Sequence, residues 1–176
     1  PWEELIARAA VYAAEGLRAE YSKVLEFRQA TNDFLIRAGV GWRAGTIGHA
    51  TISADLGSQA GFALKTGLPV ISNDLDGEVR FQPPALLREH GIRRAINVIL
   101  QGDQSPFGVL EVDSSREGAF VPDDVAFLQG AANVLGMAIQ RQRVERDLEA
   151  TLDRYQLLLK EANHRIKNSL QLVASM

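Results

Sequence analysis

The sequence predicts an α+β fold built on one antiparallel sheet, and three observations carry that prediction. Apolar runs with strand character come in two pairs, 21–29 with 34–40 and 93–100 with 107–113, each joined by a turn. A long crossover between the pairs holds two short helical patterns and a short strand. From Pro122 onward a helical run of more than 50 residues meets no further proline, and no glycine after Gly136.

Taken in order, residues 2 to about 17 (WEELIARAAVYAAEGL) are Ala-rich, with apolar positions at Leu5, Ala9, Tyr12 or Ala13, and Leu17. That spacing predicts an amphipathic helix loosened at Gly16. Residues 21–29 alternate as a strand does, Ala30-Thr31-Asn32-Asp33 has turn chemistry, and Phe34 to Val40 reads as the returning strand. A glycine-rich loop around Trp42 and a polar stretch over 46–58 lead to Ser58, a plausible cap. Gln59 to Thr66 then forms a short helix stopped by Gly67. Leu68 to Ser72 is a short strand, with Pro69 fitting its start or a sheet edge. After a loop over 73–84, Ala85 to His90 forms a helix ended by Gly91. The second strand pair is joined by the polar turn Gln101 to Pro106, containing Gly102 and Asp103. Pro122 fits the first turn of the last helix, where Asp123 and Asp124 favour the positive end of its dipole.

Composition narrows the functions. A length of 176 residues at 46% hydrophobic content suffices for one sizeable core plus an extended element. A net charge of -3 and no basic cluster argue against a nucleic-acid surface. With no cysteine, disulfides, thiolate metal sites, a thiol nucleophile and thioether attachment of a chromophore are all excluded. Three histidines make a His-rich metal site improbable, and no metal site is expected. No apolar run approaches the ~20 residues that span a bilayer, and no signal peptide is expected. Direct membrane insertion of this segment is therefore not expected, and a cytoplasmic location is. The chain starts at Pro1 without a methionine and stops in mid-helix at Met176, so it reads as a piece of a longer protein.

The order and spacing of several pieces resemble a GAF domain across roughly residues 1–140. They are Gly57 to Gly67 with Leu68-Pro69-Val70, Gly91-Ile92, the Phe107-Gly108-Val109-Leu110 strand, and Phe120 to Asp124. The resemblance implies an antiparallel six-stranded sheet flanked by helices, with a small-ligand pocket beneath the crossover helices. Candidate pocket walls are Phe27, Phe62, Ile71, Phe81, Leu87, Ile96 and Val98, although such apolar positions are more often plain core. The ligand stays unassigned. Covalent bilin is excluded with the cysteines, as are the GAF-fold methionine sulfoxide reductases, and the signature of cyclic-nucleotide GAF domains is not readable. His49, near Asp55, is weighed as a ligand contact and read as a solvated loop residue. His90 reads as a helix C-terminal residue without a chemical role.

The final segment carries the chemistry. With Leu152 at heptad position a, a seam runs through Tyr155, Leu159, Ala162, Ile166, Ser169, Val173 and Met176, widened by Leu170 at e and Leu172 at g. His164 falls at f, facing solvent, with Asn168 and Gln171 along nearly the same stripe. An exposed imidazole keeps a free lone pair at neutral pH and permits in-line phosphoryl attack. The string His164-Arg165-Ile166-Lys167-Asn168-Ser169-Leu170-Gln171, preceded by Asn163, resembles the H-box of sensor histidine kinases of the HWE and HisKA_2 type. That resemblance implies ATP-dependent autophosphorylation of His164 and transfer to a response-regulator aspartate. Arg165, Lys167 and Asn168 would be the neighbouring residues that orient the reaction. Commoner histidine kinases place an acid directly after the histidine; here Arg165 stands there, and Glu161, one turn earlier, is a weak substitute base.

Between the modules, Val125, Leu128, Ala132, Leu135 and Ile139 form a seam for packing on the sheet or against a partner helix. It is displaced by one position from the seam that begins at Leu148 and Leu152, across the polar stretch Gln140 to Asp147. The expected organisation is therefore a sensor domain over 1–140, a signalling helix over 141–155, and the start of a phosphoacceptor coiled-coil helix over 156–176. Two parallel copies would bury both seams, so a homodimer is expected. A response regulator and a small-molecule ligand are the other expected partners. ATP with Mg would bind a C-terminal domain outside this segment, which alone should be inactive. The rival readings are a non-catalytic ligand-binding dimerisation module and a phosphotransfer protein with no ATP domain of its own.

Overall fold

A computed structural model describes residues 2–102 and 105–174, without the side chains of Ser169, Leu172, Val173 and Ala174. The turn residue Asp103 and the seam side chains at Ser169, Leu172, Val173 and Met176 thus lie outside the described residues. The chain divides into two compact units, residues 1–139 and 140–176.

In the first unit, α1 (Trp2–Gly16) leads into β1 (Tyr21–Arg28) and β2 (Asp33–Val40), then β3 (Thr51–Ser53). The crossover supplies α2 (Gln59–Thr66), β4 (Val70–Ser72) and α3 (Ala85–Glu89), followed by β5 (Arg94–Leu100) and β6 (Gly108–Ser114). α4 (Pro122–Ala174) begins in this unit and forms the described part of the second. The six strands lie in the order β3-β2-β1-β6-β5-β4, every neighbouring pair antiparallel. This is the α+β architecture with a six-stranded sheet that the sequence predicts.

One strand is unforeseen. β3 lies in a polar stretch and turns a single apolar side chain, Ile52, inward, opposite its register partner Phe34 in β2. Three residues with one buried side chain leave no alternation to read.

Both sheet faces are covered, which explains why β5 and β6 read as nearly continuous apolar runs. One face carries Val24, Ile96, Val98, Leu100, Leu110 and Val112 against Ile6, Ala10 and Ala13 of α1 and Leu128, Ala132, Leu135 and Ile139 of α4. The seam of α4 from Leu128 to Ile139 is thus spent on the sheet. The opposite face carries Leu25, Ala95, Ile99 and Val109 beneath Ala60 and Ala63 of α2 and Leu87 of α3.

The crossover helix α2 is fixed at both ends by local chemistry. Ser58 sits in extended backbone and its Oγ accepts from Gly61 N at 3.0 Å, a cap of the N-terminal amides. At the other end Gly67 takes φ +68° and donates to Ala63 O, a left-handed termination that glycine adopts without strain. Gly61 serves a second purpose. A Cβ there would stand 2.0 Å from Asp55 O, so its absence lets α2 lie on the 54–55 backbone.

Candidate functional site

The covered face under α2 is not uniformly apolar. β1, β5 and β6 alternate, and on this face they present Lys23, Asn97, Glu111 and Asp113 among the apolar side chains. All four are buried. The Lys23 ammonium lies 2.7 Å from Glu111 Oε1 and 2.7 Å from Asp113 Oδ2. Asn97 Nδ2 donates to Glu111 Oε2 at 2.8 Å. The Trp42 ring closes the cage, its centroid 4.4 Å from Lys23 Nζ, in cation–π range.

Burial works against the charge of Lys23, but attraction to Asp113 and Glu111 outweighs it and holds the ammonium above its ordinary value. Asp113 is pushed well above the usual carboxylate range, first by burial and then by the neighbouring charge of Glu111, against the pull of Lys23. Asp113 therefore holds a proton more readily than a solvated carboxylate.

Two rings finish the wall. Trp42 Nε1 donates to Ser22 O at 2.7 Å, and its ring packs against Tyr21 and His90, each with centroids 5.0 Å from it. His90 is more than a helix end. Its Nδ1 meets Leu86 O at 2.8 Å and its Nε2 accepts from Arg43 N at 3.3 Å, which makes Nδ1 the protonated nitrogen of a neutral ring.

Some polar atoms of this region meet no protein partner. They are both amide atoms of Gln59 at the start of α2, Asn97 Oδ1, and Asp113 Oδ1. Buried polar groups are satisfied in the large majority of cases, so these atoms are where an added donor or acceptor would be held.

The sequence-predicted pocket walls divide between the two faces. Phe27, Phe62, Phe81 and Leu87 belong to the α2 side, where Phe62 and Phe81 stack at 5.8 Å and Phe27 meets Phe34 at 5.7 Å. Ile71, Ile96 and Val98 do not join them. They pack on the opposite face, against α1 and α4. The reason is the period of two: in β5 it is Ala95, Asn97 and Ile99 that face α2. Sequence reasoning missed Lys23, Asn97, Glu111 and Asp113. The signal was a charged or amide residue at alternate positions inside strands otherwise apolar on both faces.

Asp55 is occupied locally, accepting from Asn32 Nδ2 at 2.6 Å and Ser53 Oγ at 3.0 Å. Near α3 a cleft of about 320 Å³ is lined by Asp76, Arg88 and Arg93 with Leu75, Pro83 and Ile92.

In the second unit His164, Arg165, Lys167 and Asn168 are all exposed on α4. His164 Nδ1 and Asn168 Nδ2 lie 3.3 Å apart, one turn along the helix. The amide serves that nitrogen in either role: Nδ2–H donates to a bare Nδ1, or the rotated Oδ1 accepts from Nδ1–H and leaves the lone pair on Nε2. Arg165 Nη2 is 2.5 Å from Glu161 Oε1, so Glu161 is tied to Arg165. Among the described residues no helix is long and apolar enough to cross a membrane.

A GAF domain family model matches residues 1–139. Among solved structures, the GAF domain of a phosphoenolpyruvate-protein phosphotransferase (ptsP) from Coxiella burnetii is similar at 16% identity and TM-score 0.73, covering 83% of this chain and 86% of that one. The second GAF domain of DevS from Mycobacterium smegmatis is 18% identical with TM-score 0.68, covering 84% and 99%. The free methionine-R-sulfoxide reductase of Neisseria meningitidis, solved in complex with its substrate, is 23% identical with TM-score 0.68, covering 81% of each chain. A comparison with curated proteins finds no match.

Proposed function

From the premise that this chain belongs to the GAF domain family, a family of sensory and ligand-binding modules in signalling proteins, we propose that it is the sensory and phosphoacceptor part of a two-component histidine kinase. The observation that carries the reading is His164 itself, exposed on a helix with Asn168 at one ring nitrogen. In the proposed reaction Nε2 attacks the γ-phosphorus of ATP in line, the bond to the ADP oxygen breaks, and an N–P bond forms. The phosphoryl group then passes to an aspartate of a response regulator.

Asn168 holds the ring in the tautomer that directs a lone pair outward, and Lys167 offers positive charge to the phosphate oxygens. Arg165, paired with Glu161, contributes to the surface that an ATP-binding domain approaches. ATP and Mg belong to that domain of the longer protein, and autophosphorylation requires it. The C-terminal seam of α4 pairs with a second copy to give a homodimer. The α2 side of the sheet, with its partnerless amide and carboxylate oxygens around the Lys23 cage, is where a small polar ligand is sensed.

A second reading, a ligand-binding module that feeds another output, is favoured only by that polar cluster. Labelling the protein, extended through its ATP-binding region, with γ-labelled ATP separates the two. Acid-labile, base-stable label absent from His164→Ala supports the kinase. Label surviving in His164→Ala moves the acceptor, and no label under any condition leaves the ligand-binding module.

A further inference from the structure

The cleft beside α3 is built by a sharp change of chain direction. Gly91 follows the helix with φ +65°, a left-handed conformation that favours glycine, and its N–H donates to Arg88 O at 3.0 Å. Ile92 N then donates to Leu87 O at 3.0 Å, and β5 starts at Arg94. Arg88 and Arg93, on either side of this turn, come to line one cleft. The loop after β4 supplies the rest of the lining. Leu75 N donates to Arg93 O at 2.9 Å, and Gly77 N donates to Asp74 Oδ1 at 3.2 Å across the turn that carries Asp76. Hydrogen bonds of the chain itself thus fix these walls. The volume of about 320 Å³ is at the small end of the range for small-molecule sites.

The charges of the cleft are incompletely matched. Arg88 Nη1 donates to Pro83 O, a neutral carbonyl, and Arg88 has no carboxylate partner among the described residues. Arg93 meets Glu117 Oε1 through Nη1 alone, at 3.2 Å in an exposed pair, which leaves its other donors for a ligand. The Asp76 carboxylate has neither a hydrogen bond nor an ion pair among the described residues, although both arginines line the same cleft. Opposite charges therefore share one opening without closing on each other. A plain anion would leave Asp76 unmatched, and a plain cation would meet two guanidinium groups. Leu75 and Ile92 are buried and add apolar surface to the same lining.

We propose that this cleft binds a small zwitterion of the α-amino acid class. Arg88 and Arg93 take its carboxylate, Asp76 takes its ammonium group, and Leu75 and Ile92 receive an apolar side chain. A guanidinium group matches a carboxylate through paired N–H···O bonds, and an ammonium group supplies the donors that a carboxylate needs. The cleft shares no lining residue with the Lys23 cage, so this is a second site that stands or falls apart from the ligand proposed there.

Calorimetric titration of the full chain with L-leucine tests the site. Two analogues divide its charges: 4-methylpentanoate lacks the ammonium group and 3-methylbutylamine lacks the carboxylate. Each should bind roughly tenfold or more weakly than L-leucine, the weight of one charge-assisted contact. Arg88→Gln and Asp76→Asn should each weaken L-leucine by a similar factor. If 4-methylpentanoate binds as tightly as L-leucine, and equally well in Asp76→Asn, the cleft is a plain anion site and the zwitterion is overturned. L-Leucine binding that is unchanged in Arg88→Gln and Asp76→Asn but lost in Gln59→Leu lies on the α2 side, which overturns the cleft and leaves ligand sensing at the cage standing. An absence of heat with L-leucine overturns the proposal as well.

Discussion

Asn73 and Phe120 exchange a pair of hydrogen bonds. The Asn73 amide donates to Phe120 O at 3.1 Å, and its oxygen accepts from Phe120 N at 2.7 Å. A loop residue after β4 thereby fixes the backbone just before α4, which packs on the sheet from Leu128 onward. Asn73→Ala should destabilise the chain by about 1–2 kcal/mol, the net worth of two partly buried bonds. Asn73→Asp, which keeps the acceptor alone, should fall between wild type and Ala in urea unfolding.

The Lys23 cage predicts a large asymmetry between single and combined substitutions. Lys23→Ala leaves Glu111 and Asp113 buried without their cation and should cost about 3–5 kcal/mol. Lys23→Met together with Glu111→Gln and Asp113→Asn removes all three charges and should cost less than Lys23→Ala. Denaturant unfolding of the two variants checks the order.

The same cage makes stability fall as pH rises. Asp113 has a raised folded value, so its contribution is complete below the ordinary carboxylate range and is lost as pH rises through that raised value. Lys23, also raised, adds a second loss at higher pH, above its ordinary 10.5. Asp113→Asn should remove the first loss and keep the second, measured as melting temperature against pH.

Glu78 predicts the acid limb. Its carboxylate accepts from Arg80 Nε at 2.9 Å and Nη2 at 2.7 Å, and from Arg80 N at 3.0 Å. Arg80 holds it down to about 2 from an ordinary 4.5, so its contribution is present above 4.5 and is lost as pH falls through about 2. After allowance for solvent screening this is about 1 kcal/mol. Glu78→Gln should flatten the stability profile between those values.

Gly61→Ala tests the seat of α2. Its Cβ would meet Asp55 O, a backbone atom that no rotamer can move, so helix or loop must shift. A cost of about 1–3 kcal/mol is expected, as for overpacking generally. Gly130→Ala, on the open side of α4 with nothing within 4 Å, should instead be neutral or stabilising.

Most of the fold was legible because local signals and tertiary demands agreed. Ser58 and Gly67 bracket α2, Pro122 opens α4, and the apolar runs at 93–100 and 107–113 become β5 and β6. What was not legible depends on which face a buried strand residue takes. Ile96 and Val98 look the same as Ile99 in sequence, yet only Ile99 faces α2. The cage was hidden for a related reason, since Lys23 and Asp113 are 90 positions apart and meet only through the pairing of β1 with β6.

The sheet ends on both sides in strands of three residues, β3 and β4, and Pro69 immediately precedes β4. Edges this short offer an incoming strand little more than one repeat of main-chain hydrogen bonding, and a proline carries no amide hydrogen to give it. Growth by strand addition, the common route to swapped or fibrous assemblies, is therefore poorly templated at either margin. A point change that lengthened β3 or β4 would expose the protein to that hazard without touching its core.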